Sequence, residues 1–216
     1  MAQSSPNTPL KAIQRFFDER AAGWDRMISA EHPRRLEAIV RRLDIASDAR
    51  VLDVGCGTGV LYPIIASRLE SPGMFAAVDL SLAMMRETRK RMTTRPYGDN
   101  PPATLAVQGD IIIPPFTDHF FDWVICNSCF PHFHDQQAAL GVMARLLRPG
   151  GRLAVCHTES RDAINVMHRN VGDVVGGHEL PDDVTLRRLV QRAGLELLTL
   201  EDGPDAFLLL AQNPSA

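Results

Sequence analysis

The stretch VLDVGCGTG at residues 51–59 decides the fold. The strand RVLDV (50–54) runs straight into Gly55, Gly57 and Gly59, and a helix follows with Leu61, Ile64, Ile65 and Leu69 on one face. Glycines at such a junction let the backbone turn sharply and approach a ligand where a Cβ would collide. The crevice between strand and helix is where open α/β sheets bind nucleotides. Three details set the expected ligand apart from a dinucleotide. The spacing is G-x-G-x-G rather than G-x-G-x-x-G. Asp53 precedes the glycines, where it would repel a pyrophosphate and suit an amino group. Asp79 closes the second strand, where a carboxylate accepts both ribose hydroxyls. Together they favour an adenosine–amino acid ligand over NAD. A tight turn without a ligand and an NAD-dependent oxidoreductase are the rival readings.

Working outward, strands and helices alternate. MFAAVDL is a strand, and Ser81 N-caps a helix with Leu82, Met85 and Met92 turned inward. A Pro-rich loop, TTRPYGDNPPA, leads to the strands TLAVQ and FDWVICN, then to a helix opening near Asp135. LRPGG is a turn launching RLAVCH, residues 158–181 read as an irregular or weakly helical substrate lid, and a helix runs from near Asp182 to Gly194. LELLTL and AFLLLA flank an EDGPD turn as an antiparallel hairpin. The expected architecture is a Rossmann-like, doubly wound α/β sheet, mainly parallel, with an antiparallel C-terminal hairpin.

Upstream, LKAIQRFFDERAAGWDRM reads as one helix, and Leu36, Ile39, Val40 and Leu43 mark a second. Both precede the first strand, so residues 10–48 are expected to cap the domain rather than belong to its sheet. Residues 1–9 are expected to be a disordered tail and 10–216 a single domain. With 216 residues, the chain has room for one well-buried α/β domain. A formal charge of −3 gives no electrostatic ground for nucleic acid as a partner, and no apolar run reaches membrane-spanning length. The N-terminus lacks a signal-peptide core, so the expected compartment is the cytoplasm, where four cysteines stay reduced.

VLDVGCGTG resembles motif I of class I S-adenosylmethionine-dependent methyltransferases, and VDLS resembles their acidic second motif. GDI, FDWVICN and LRPGGRLAV resemble the third motif, the fourth strand and the fifth, in the family's order across residues 50–157. FFDERAAGWDRM is similar to the F-D-x-x-A-x-x-Y-D-x-M segment of ubiquinone/menaquinone-type methyltransferases, with Trp24 in place of the tyrosine. The resemblance implies methyl transfer from S-adenosylmethionine to a small-molecule acceptor, with a non-catalytic ligand-binding or metal-binding module as the alternative. It also implies roles for the cofactor residues. Gly55 and Gly57 would approach the methionine moiety, and Asp53 would lie near its amino group. Asp79 would bind the ribose, with Leu80 on the adenine. Asp110 and Ile111 would hold the adenine's edge and face, and Asn127 and Ser128 would face the sulfonium. Met84 is a candidate cofactor neighbour or a core residue.

The acceptor side is expected from the N-terminal helices with Trp24, the segment after FDWVICN and the segment after RLAVCH. In this topology Cys56, Cys129, His132, His134 and His157 converge above the strands' carboxyl ends. Cys126 and Cys56 read as packing residues, and a lone CxxC at 126–129 is not a zinc knuckle. His132, His134, His157 and His168 are candidate proton acceptors, because imidazole titrates near neutrality, or ligands for a transition metal. In an extended chain His132 and His134 could not both face the pocket. Arg161 is a candidate for holding an acidic substrate group.

Overall fold

The computed structural model describes residues 8–94, 97–172 and 174–215, so most of the expected N-terminal tail lies outside the described residues. In chain order the elements are α1 (Thr8–Asp18), a 3₁₀ turn (Ala21–Gly23), α2 (Trp24–Met27), α3 (His32–Arg41), β1 (Arg50–Val54), α4 (Tyr62–Ala66), β2 (Met74–Asp79), α5 (Leu82–Thr93) and β3 (Ala103–Gln108). β4 (Phe121–Asn127), a 3₁₀ turn (Phe130–His132), α6 (Gln136–Leu146), β5 (Leu147–His157), α7 (Arg161–Val171), α8 (Asp183–Arg192), β6 (Glu196–Gly203) and β7 (Ala206–Gln212) complete the chain.

The seven strands form one sheet in the order β3-β2-β1-β4-β5-β7-β6. Pairing is parallel from β3 to β5 and antiparallel for β5·β7 and β6·β7, as the sequence pattern requires. The order reverses at β1, with β2 on one side and β4 on the other, and such a switch point opens a crevice at the strands' carboxyl ends.

Side-chain alternation splits the core into two layers. Val51, Trp123, Ile125, Ala154 and Cys156 face α3 and α4, while Leu52, Val124, Cys126, Leu153 and Val155 face α6 and α8. Leu36, Ile39, Val40 and Leu43 are buried in the first layer. α3 thus covers one face of the sheet, while its first residue, His32, reaches the cleft beside α1, the turn and α2.

Local departures from the sequence reading have local causes. The first predicted helix breaks after Asp18 and resumes at Trp24. The 158–181 segment contains a regular helix, α7, whose N-cap Ser160 accepts the Ala163 amide at 3.3 Å and whose inner face buries Ile164 and His168. LRPGG is drawn into β5 as an irregularity, since Phe121 pairs with Leu147 and Trp123 with Arg152. On α5 the buried face is Met84, Met85 and Thr88, which places Met84 in the core at 1% exposure while it still touches the cleft.

Candidate active site

A cleft of about 580 Å³ lies over the carboxyl ends of β1, β2, β4 and β5. Gly55, Gly57, Asp79, Leu80, Asp110, Ile111, Asn127 and Ser128 all line it. The turn is held open by its own backbone. Gly55, Gly57 and Gly59 have φ of 64°, 56° and 78°, and the Gly55 amide donates to the Val78 carbonyl at 2.8 Å. A Cβ on Gly57 would meet nothing within 4 Å, so that glycine faces free space in the cleft. A Cβ on Gly55 would lie 2.5 Å from the Cys129 sulfur. Asp79 Oδ2 accepts the Gly57 amide and Oδ1 the Ser81 amide, each at 2.8 Å. Burial raises the Asp79 carboxyl to about 6 against the opposing pull of those amides, with Asp18 raising it further.

Asp53 is 1% exposed and stands behind the cleft wall; neither of its oxygens has a hydrogen-bond partner among the described residues. Burial, then the nearby Asp79, pushes its carboxyl well above the usual range. A buried carboxylate left unsatisfied is costly, and an ammonium reaching it directly or through water removes that cost. The orphaned Asp53, the open face at Gly57 and the Asp79 carboxylate therefore fit S-adenosylmethionine, which carries an ammonium and a ribose diol and no phosphate.

Two aspartates fasten the cap, Asp18 to the start of α5 and Asp25 to the glycine loop. Asp18 Oδ1 accepts from Ser81 Oγ at 2.5 Å and from the Ala83 amide at 3.1 Å. Asp25 accepts from Thr58 Oγ1 at 2.5 Å and pairs with Arg91, whose Nε also donates to the Thr58 carbonyl at 2.9 Å. These are the two aspartates of the FFDERAAGWDRM segment, so its resemblance to quinone-type enzymes has a structural content that reading the sequence alone missed. Asp25→Ala strands the Thr58 hydroxyl, which is 2% exposed. An unsatisfied buried hydroxyl costs about 1–3 kcal/mol, and we expect roughly tenfold weaker S-adenosylmethionine binding by calorimetry. Wild-type affinity in that variant would show that the latch does not hold the loop.

Beyond the glycine loop the cleft widens between α1, α2 and α7. Phe17, Trp24, Phe133, Met167, Val171 and Val175 make this chamber largely apolar, and Arg20 is the one arginine or lysine lining it among the described residues. Cys56, Cys129, His132, His134, His157 and His168 all reach the cleft, joined by His32 from α3. His132 ends a 3₁₀ turn and lies within the cleft, while His134, one extended residue further on, is exposed at its rim. His32 Nδ1 lies 2.8 Å from Thr158 Oγ1, and His168 Nδ1 donates to the His178 carbonyl at 2.6 Å. His157 is 3% exposed and its Nε2 has no partner among the described residues. Burial, then His168 and His32, lowers it to about 3, so it is neutral near pH 7.

Two expectations are corrected here. Arg161 is outside the cleft lining and is held by Asp183 and Asp202, with its own amide donating to Asp202 at 2.9 Å. No group of three or more His, Cys, Asp or Glu side chains among the described residues is arranged to hold a metal ion, so the four histidines do not form the expected ligand set. Cys126, at 0% exposure, is a packing residue as its strand position implied. No helix among the described residues is long and apolar enough to cross a membrane.

A family of methyltransferase domains matches residues 52–155. The chain is 29% identical over 160 residues to a demethylmenaquinone methyltransferase of Lactiplantibacillus plantarum, covering 72% of this chain and 66% of the relative. It is 27% identical over 211 residues to the ubiquinone/menaquinone biosynthesis C-methyltransferase UbiE of Hahella chejuensis, covering 85% and 83%. Several other curated relatives are longer, and the chain spans 60–64% of their length. A crystal structure of a SAM-dependent methyltransferase from Aquifex aeolicus shares the fold, with a TM-score of 0.68 at 18% identity, covering 87% of this chain and 95% of that one. The matched residues run from the first strand through the fifth, the part of the chain that builds the cofactor cleft, and the chain belongs to the class I S-adenosylmethionine-dependent methyltransferases.

Proposed function

We propose that this chain methylates a small, uncharged and largely apolar aromatic acceptor bearing an acidic O–H or C–H. The observation that carries the reading is the continuity of one cleft, which joins the glycine loop to an apolar, histidine-lined chamber under the N-terminal cap. Asp53 would receive the cofactor's ammonium, Gly55 and Gly57 would admit its methionine portion, and Asp79 would take the ribose hydroxyls. Leu80, Asp110 and Ile111 would enclose the adenine. S-adenosylmethionine supplies a methyl group already activated on a sulfonium. The chain then has to align the acceptor, remove its proton and keep water out, and alignment alone is worth several kcal/mol of barrier.

The chamber's chemistry narrows the acceptor. Its one lining arginine or lysine, Arg20, lies over the Phe16 ring at 3.7 Å and donates to the Phe16 carbonyl at 3.0 Å. A carboxylate-bearing acceptor would therefore find no free cation among the described lining residues. Phe17 and Trp24, with centroids 5.5 Å apart, offer aromatic edges and faces instead. Asn127 and Ser128 stand at the junction with the cofactor half. His132 and His157 are neutral bases within the chamber, while His134 serves its mouth. The relatives' names, which specify demethylmenaquinone and 2-phytyl-1,4-naphthoquinone, point to quinone-like rings as the acceptor class.

Calorimetric titration with S-adenosylmethionine and its demethylated product, then mass spectrometry of a soluble alkyl-naphthohydroquinone incubated with enzyme and cofactor, tests this reading. Binding of both ligands and a product one methyl heavier are expected. Cofactor binding with no methylation of the hydroquinone or of simple phenols would overturn the acceptor class.

A further inference from the structure

The chamber is closed by the cap on one side and by α7 on the other, so a proton taken from an acceptor needs a way out. His132 Nδ1 lies 3.1 Å from His178 Nδ1. His132 lines the cleft, whereas His178 is half-buried outside the lining. One imidazole thus touches the reaction chamber and the next touches solvent, joined by a single hydrogen bond.

The second imidazole is held in place by more contacts than a surface loop needs. Its carbonyl accepts from His168 Nδ1 at 2.6 Å, and its amide donates to the Val175 carbonyl at 3.0 Å. Asn165 clamps the next turn, its amide group donating to the Leu180 carbonyl at 3.1 Å and its oxygen accepting from the Leu180 amide at 2.8 Å. Glu179 pairs with Arg169, and its carbonyl accepts from Gln136 at 3.2 Å. The loop is stitched to α6 and α7, and these bonds hold the backbone from which the His178 ring projects. On the other side, His132 packs edge-on against Phe17 at 5.1 Å and tilted against His168 at 4.8 Å.

We propose that His132 and His178 form a two-imidazole relay that carries the acceptor's proton from the chamber to solvent. The proposal rests on the methyl-transfer reading. The acceptor's proton passes to His132 Nε2, the Nδ1 proton of His132 passes to His178 Nδ1, and the Nε2 proton of His178 leaves to water. No net charge stays in the chamber, and no oxidant or reductant is needed. His132 is the group that meets the acceptor, and His178 acts through it as a positioning and relay residue.

The electrostatics suit a shuttle that does not store charge. Burial, then the imidazoles of His168, His178 and His157, holds His132 well below the ordinary histidine range, and burial and His168 lower His178 as well. A lone base in that setting would hold its proton poorly. Passing a second proton onward as the first arrives avoids a buried imidazolium. Because the His178 carbonyl can only accept, His168 carries a proton on Nδ1, and that bond fixes its ring as a wall beside the pair.

The relay requires one tautomer, with His132 protonated on Nδ1 and bare on Nε2. Long-range proton–nitrogen spectra of the full chain labelled with ¹⁵N-histidine, assigned with His132→Gln and His178→Gln, read this directly. The expected result near neutral pH is a His132 Nδ1–H and a His178 Nε2–H. A His132 carrying its proton on Nε2 overturns the relay whether or not any acceptor is turned over. With the alkyl-naphthohydroquinone as probe, His178→Ala should slow turnover about tenfold with cofactor affinity retained, and added imidazole should restore the rate. Wild-type turnover in His178→Ala, or a loss that imidazole does not repair, also overturns it. Failure of the wild-type protein to methylate the probe overturns the acceptor class alone, and the tautomer measurement still decides the relay.

Discussion

Gly55→Ala is expected to lose measurable S-adenosylmethionine binding and to lower the unfolding free energy by about 3 kcal/mol. Two independent penalties add. The backbone has φ of 64° at this residue, a left-handed conformation that costs an L-residue about 1–2 kcal/mol. The new Cβ would also sit 2.5 Å from the Cys129 sulfur and 2.7 Å from its Cβ. Cys129 cannot give way, since it lies two residues past β4 and its sulfur is 3.0 Å from Cys126 Sγ and 2.9 Å from the Val54 carbonyl. The glycine loop would have to move instead, and it carries the Gly57 amide away from Asp79. Thermal melts should fall by roughly 10 °C for a chain of this size. Adding Cys129→Gly removes the collision but not the torsional strain, so the double variant should recover about half of the lost stability. A single variant with the parental melting temperature and cofactor affinity would show that neither penalty applies.

What the sequence revealed about this site divides along a physical line. The glycine loop, β1 through β5 and the hairpin were legible because each is written in local periodicity or in turn chemistry. Asp53, Asp79 and Asp110 were legible because their positions at strand ends are fixed by that periodicity. The latches were not: Asp25 meets Thr58 and Arg91 across 33 and 66 residues, and a polar pair at that separation leaves no local pattern. α7 was hidden because its inner face is completed by His168, an imidazole standing where the pattern expects an aliphatic side chain. The Leu36 to Leu43 periodicity announced a helix, but periodicity does not say which layer the apolar stripe joins. Arg161 was read as free because its two acids come from α8 and β6, elements the eye does not connect with the start of α7. His132, His134, His157 and His168 were placed on the acceptor side by their positions past β4 and β5, yet whether imidazoles gather around an ion or bond to one another depends on ring orientation, which the sequence does not encode.

Asp79→Asn is expected to weaken S-adenosylmethionine binding about a hundredfold at neutral pH, the loss of two charge-assisted hydrogen bonds of about 1.5 kcal/mol each. The substitution is nearly isosteric but chemically mismatched here. Both carboxylate oxygens accept backbone amides, from Gly57 and from Ser81, so an asparagine must turn its NH₂ toward one of those donors. The same carboxylate should make cofactor affinity depend on pH. With its folded-state value raised to about 6 from 3.8, Asp79 is ionised at pH 7 and loses acceptor strength as pH falls through about 6. Wild-type affinity should therefore drop below that pH, and the asparagine variant should bind weakly with a flat profile. Stability runs the other way. A carboxyl with a raised folded value binds more protons folded than unfolded between 3.8 and about 6, so its contribution to the ligand-free protein is lost as pH rises through that window. His157, lowered to about 3 from 6.5, opposes this, because the unfolded chain takes up the proton first and acid destabilises the fold. The raw stability curve mixes the two, and the difference between wild type and Asp79→Asn removes the His157 part and leaves Asp79 together with its push on Asp53. That difference should grow from pH 4 to pH 7 by on the order of 2 kcal/mol in favour of asparagine, less whatever the donor clash removes. A wild-type binding profile that stays flat through pH 6, with asparagine binding as tightly as aspartate, would mean that the cofactor does not rest on Asp79.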